Sequence, residues 1–101
     1  MLNVANLEPV YFKRFLSGQK KIETRWRTRV DARLEAIEVG EPIVLLEIGS
    51  ERGLRGVIGS VTRRDYTDGY LYKIRVQSPV LFRAPGVRKI QGWHRRKDLR
   101  N

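Results

Sequence analysis

Residues 18–27 read GQKKIETRWR. A turn-forming glycine is followed by strict alternation: Ile22, Thr24 and Trp26 share one parity, and Lys21, Glu23, Arg25 and Arg27 share the other. A period of two is that of a β-strand, whose successive side chains point to opposite faces. The stretch therefore predicts a strand with Trp26 and Ile22 turned to the core and a charged outer face. Lys20 lies on the opposite parity from Glu23 and Arg25, so these three reach one cleft only if the backbone over residues 18–21 is a loop or bulge.

Working outward, Pro9 suits a first helical turn, and Val10, Tyr11, Phe12, Phe15 and Leu16 recur at helical spacing before Gly18, which predicts a helix over 9–17. The opening MLNVANL is a short strand or an extended lead-in. Downstream, Val30, Leu34 and Ile37 predict a second short helix over 30–38, stopped by Gly40 and Pro42. IVLLEI at 43–48 is apolar and short enough for a buried strand. GVIGSVT (56–62) and YLYKIRV (70–76) flank the turn-rich DYTDG and read as an antiparallel pair. A last strand is expected around 86–93, then a fraying end. The predicted fold is α+β: a small bent-sheet β-barrel with two short helices flanking an open cleft. At 101 residues the chain reads as one domain.

Twenty-one basic residues stand against eleven acidic ones, a net charge of +10, and fifteen of the cations are arginine. Guanidinium both forks onto phosphate and stacks on a base, so the balance points to a polyanion, with RNA or a nucleotide ahead of an acidic protein partner met through the basic surface. There is no cysteine and a single histidine, His94. That excludes disulfides, thiolate zinc, a cysteine nucleophile and a multi-histidine metal centre, and no metal or cofactor is expected. No apolar run approaches the ~20 residues of a membrane span, and the start lacks a secretory pattern, so the expected address is the cytoplasm, with no membrane partner. GSERGLRG lacks the Lys-Ser/Thr ending of a phosphate loop, and Gly53-Leu54-Arg55-Gly56 is read as a turn. Trp93 beside Gly92 and His94 is a candidate stacking platform for a base.

Gly18-x-Lys20-x-x-Glu23-x-Arg25 resembles the GxKxxExR signature of ASCH domains, here preceded by the aromatic YFKRFLSG. VGEPIVL and PVLFRAPGVRKIQGW resemble later segments of that family. The resemblance implies a PUA-like pseudo-barrel and a cleft that binds RNA or modified nucleotides, with Lys20, Lys21, Glu23, Arg25, Arg27 and Trp93 as binding residues. In such a cleft Lys20 is a mobile phosphate-seeking charge, Arg25 a planar fork, and Glu23 an acceptor for a cation or a base amine. One branch of the family deacetylates N4-acetylcytidine with a lysine, a threonine and a distant glutamate. Lys20 matches that lysine, but the threonine's position carries Glu23. The alternative function is thus such a hydrolase, or a ribonuclease, with Lys20 and Glu23 as catalytic residues and Ser60, Tyr66 and Tyr70 as further candidates by residue type. On residues alone, the same charges equally describe a solvated strand face whose Glu/Arg pairs are each worth under about 1 kcal/mol.

Overall fold

The computed structural model describes residues 1–86 and 88–97. Its elements are β1 (Leu2–Leu7), α1 (Pro9–Leu16), β2 (Ile22–Thr28), β3 (Pro42–Glu47), β4 (Arg52–Tyr66), β5 (Gly69–Arg83) and β6 (Gly92–Arg96). All six strands form one sheet in the order β2-β5-β4-β3-β1-β6, antiparallel except where β1 runs parallel to β3. The sheet curls into a half-barrel with one helix against it. No helix among the described residues is long and apolar enough to cross a membrane.

Pro9 opens α1, where a missing N–H costs nothing, and the Glu8 carbonyl accepts from the N–H groups of Tyr11 and Phe12, both at 3.0 Å. Phe12 and Phe15, one turn apart, are buried in the half-barrel. They meet Ala5 and Leu7 of β1, Ile43 and Leu45 of β3, and Tyr72 and Ile74 of β5. The intervening residues of β1 and β3, Leu2, Val4, Val44 and Leu46, form a second cluster on the outer face under Phe82 and Ala84. Both faces of β3 are covered, which is why its sequence is a continuous apolar run instead of an alternation.

β4 and β5 make one long hairpin that extends the predicted pair in both directions and closes through Thr67 and Asp68. Its register shifts between Arg55 and Val57 and again between Ile58 and Ser60. Bulges of this kind bend a strand and increase its twist, which curves the sheet. Gly56 sits at the first: a Cβ there would fall 2.6 Å from the Gln77 carbonyl oxygen. Gly53-Leu54-Arg55-Gly56 accordingly lies inside β4 and is not a turn.

Two further expectations change. Residues 30–38 form turns, not a second helix. The Asp31 carboxylate accepts the Arg33 N–H at 3.1 Å and its guanidinium at 2.6 Å, which offers the chain a local alternative to helical bonding. Leu34 and Ile37 are still buried, because a spacing of three serves a tight turn as well as a helix, while Val30 is 94% exposed. The last strand is β6, which shares only Gly92 and Trp93 with the expected span 86–93; Val87 within that span, and the chain end at 98–101, lie outside the described residues.

Candidate functional site

The site begins where α1 stops. Gly18 takes φ +81°, a conformation glycine adopts without the Cβ penalty, and leads the chain out of the helix. The Lys20 N–H then donates back to the Arg14 carbonyl at 3.0 Å, and the Lys21 carbonyl accepts from the Val76 N–H of β5 at 2.8 Å, before β2 begins at Ile22. Residues 18–21 are thus a loop, as a shared cleft requires, and the parity of a continuous strand does not apply to Lys20.

The loop brings Lys20 Nζ to 3.5 Å from Glu23 Oε1, while Arg25 Nη2 stands 2.9 Å from Glu23 Oε2 and Arg25 Nε donates to the same oxygen at 3.2 Å. Each carboxylate oxygen therefore faces a different cation, and the trio keeps one positive charge in excess. Lys20 Nζ also lies 5.3 Å from the centre of the Tyr11 ring and 5.6 Å from that of Phe15, within cation–π range of both. Its side chain is 24% exposed, so it retains contact with solvent.

Arg25 has a second role that sequence did not suggest. Its Nη2 donates to the Asn6 carbonyl on β1 at 3.2 Å, and its guanidinium carbon lies 5.5 Å from the centre of the Trp93 ring on β6. β2 and β6 are the two edges of the sheet, so Arg25 spans the open seam of the half-barrel. Trp93 is 0% exposed and its indole N–H donates to Asn3 Oδ1 at 3.4 Å. It has no free face for a base, and the platform expected there is a core residue.

The faces of β2 are also exchanged relative to expectation. Glu23 is buried and Arg25 and Arg27 are partly buried, whereas Ile22 and Trp26 are 41% and 43% exposed. The charged parity points into the half-barrel because Glu23 and its two cations compensate one another there, and a paired charge tolerates burial where a lone one does not.

Beyond Arg25, the same face carries Arg27. Its Nη1 donates to the Trp26 carbonyl at 2.8 Å, and its Nε is 3.6 Å from Asp31 Oδ2, too long for a hydrogen bond. Nε is buried with no hydrogen-bond partner among the described residues, and the Asp31 carboxylate meets it only as an ion pair. Burial lowers the Arg27 guanidinium from its usual range, the neighbouring Arg33 acts the same way, and Asp31 opposes both. Hydrogen bonds from Arg33 pull the Asp31 carboxyl down to about 2.

A cleft of about 400 Å³ opens over these groups, lined by Leu7, Tyr11, Lys20, Glu23, Arg25, Arg27 and Gln91 among others. That is within the size range of small-ligand sites. Its chemistry is cationic donors at one end, an aromatic ring from Tyr11, and a carboxylate able to accept from an amine. Lys21 faces a neighbouring cleft of about 460 Å³ with Arg75, Val76 and Ser78, and Lys20 borders both. The structure thus gathers Lys20, Glu23, Arg25 and Arg27 at one cleft, turns Lys21 to the neighbouring one, and buries Trp93 beneath Arg25. Ser60, Tyr66 and Tyr70 do not line this cleft, and His94 is exposed on β6 opposite Val4. Tyr11 had a signal in sequence, since it stands four residues before Phe15 on α1; Gln91, in the segment before β6, had none. Among the described residues no cluster of acidic or histidine side chains is arranged to hold a metal ion. Compared with protein-family models, curated proteins and solved structures, the chain matches none.

Proposed function

We propose that the chain is an RNA- or nucleotide-binding domain of ASCH type, with a PUA-like pseudo-barrel, and that its ligand occupies the cleft between α1 and β2. The observation that carries this reading is the convergence of Lys20, Glu23 and Arg25, which strand parity alone would separate, at the wall of an open cleft. Lys20 meets a phosphate, Arg27 adds positive charge farther along the cleft wall, and Glu23 orients Lys20 and Arg25. Titration calorimetry with the four ribonucleoside monophosphates tests it. Binding should weaken about 10- to 100-fold in Lys20→Ala, as expected for one charge-assisted hydrogen bond. Absence of binding by the wild type, or equal binding by Lys20→Ala, refutes it.

Hydrolysis of an acetylated nucleoside or of RNA is the second reading, favoured by the 3.5 Å separation of Lys20 Nζ and Glu23 Oε1, from which one short movement brings an ammonium and a carboxylate within proton-transfer reach. If it holds, wild type converts N4-acetylcytidine or RNA to products, and Glu23→Gln loses about two to four orders of magnitude in rate. Wild type that converts neither ends this reading.

A further inference from the structure

The outer face of the sheet built from β2, β5 and β4 carries no carboxylate. It comprises the even positions 22–28 of β2, the odd positions 69–75 of β5 and the even positions 60–66 of β4. The only acidic residues on these strands, Glu23 and Asp65, have the opposite parity. Register sets Leu71, Lys73 and Arg75 down the middle of this face, with Trp26 on one side and Arg64 on the other. Lys73, Arg75 and Arg64 are exposed.

Two large aromatics also stand on this face. Trp26 is 43% and Tyr66 39% exposed, and their ring centres are 5.7 Å apart at an interplanar angle of 54°. The indole lies over Gly69 of β5, where a Cβ would come within 2.6 Å of its Cζ2, so the glycine makes room for the ring. The Arg64 guanidinium carbon lies 5.6 Å from the centre of the Tyr66 ring. Exposed Trp and Tyr held beside arginine and lysine, on a sheet face free of negative charge, combine the two features that sequence-tolerant single-strand binders use: ring faces for bases and cations for the backbone. An acidic peptide would be met by the cations but would leave the ring faces without a planar partner.

We infer that single-stranded nucleic acid lies along the outer face of β2, β5 and β4, its bases stacked on Trp26 and Tyr66 and its phosphates on Lys73 and Arg75. From 22 to 28 the strand spans roughly 20 Å, enough for a tract at the short end of the about 4 to 16 nucleotides that such platforms hold. At its far end Arg75 and Lys21 line the 460 Å³ cleft, so the basic track continues past the sheet. Trp26 also borders the Lys20–Glu23–Arg25 cleft, whereas Arg64, Tyr66 and Lys73 do not, so variants of those three let the two readings fail separately.

The test is fluorescence anisotropy with labelled oligouridylate and oligothymidylate of about ten nucleotides, on folded proteins verified by circular dichroism. Wild type should bind at least one of them, the tighter naming the polymer, with affinity falling as salt rises. Tyr66→Ala should weaken binding ~5- to 150-fold through lost stacking. Arg64→Ala with Lys73→Ala should weaken it and lower the salt slope by about one for each phosphate no longer neutralised. This exposed pair carries the test if Tyr66→Ala does not fold. Conversely, Tyr66→Ala and the Arg64→Ala, Lys73→Ala pair should leave mononucleotide binding in the Lys20–Glu23–Arg25 cleft within about twofold, because none of the three lines it. Binding of neither oligonucleotide, unchanged affinity in the outer-face variants, or displacement of the label by polyglutamate as readily as by unlabelled oligonucleotide overturns the inference.

Discussion

Replacing Arg25 by alanine tests whether one side chain closes the seam of the half-barrel. The change removes two hydrogen bonds to Glu23 and one to the Asn6 carbonyl and uncovers the Trp93 ring. Breaking a buried pair by deleting one partner costs about 3–5 kcal/mol, because the other charge stays behind desolvated. Here Lys20 remains 3.5 Å from Glu23 and offsets part of that, so the lower end applies. A loss of about 3 kcal/mol corresponds to roughly 12–24 °C in Tm for a domain of this size. Lys20→Ala removes one longer, more exposed pair and should cost no more than about 1 kcal/mol. Arg25→Lys keeps the charge but loses the fork and the planar cover of Trp93, and should fall between the two. Thermal melts by far-ultraviolet circular dichroism, with urea unfolding as a second measure, rank the three variants. If Arg25→Ala melts within about 3 °C of wild type, or if Lys20→Ala costs as much, the seam argument is wrong.

Acid should destabilise the fold through Glu47. Hydrogen bonds from Arg52 hold its carboxyl below the usual range, with burial opposing and Ser50 assisting, so its contribution is present above the unfolded value of about 4.3 and lost as pH falls through the lower folded value; Glu47→Gln should flatten the acid limb of stability measured by urea unfolding. Gly69→Ala would press a Cβ against Trp26 and the Arg27 carbonyl, and overpacking of this kind costs about 1–3 kcal/mol, read as a lower urea midpoint at constant m-value. Iodide should quench the emission of Trp26 and spare that of Trp93, so Trp26→Phe should retain a blue-shifted, quencher-resistant signal; easy quenching of that variant would contradict the burial of Trp93.

Periodicity and punctuation are properties of the chain, and they were enough for most of the elements. Pro9 and Gly18 bracket α1, the apolar run 43–48 marks β3, and the alternation from Ile22 marks β2. The need for a loop before β2 was also legible, because parity separates Lys20 from Glu23. Where spacing was ambiguous the reading failed: Leu34 and Ile37 fit a turn as well as a helix, and the Asp31 carboxylate favoured the turn. Alternation identifies two faces but does not say which one turns inward, because that depends on what the rest of the chain puts opposite each face. Tertiary structure turned Glu23 and Arg25 inward by setting Lys20, the Asn6 carbonyl and Trp93 around them, interactions made across 3 to 68 residues of sequence. It left Trp26 outside because Gly69 of β5 provides a shelf for its ring beside Tyr66. A charged side chain is buried only when its partners arrive with it, and the partners of Arg25 are brought together only when the sheet curls.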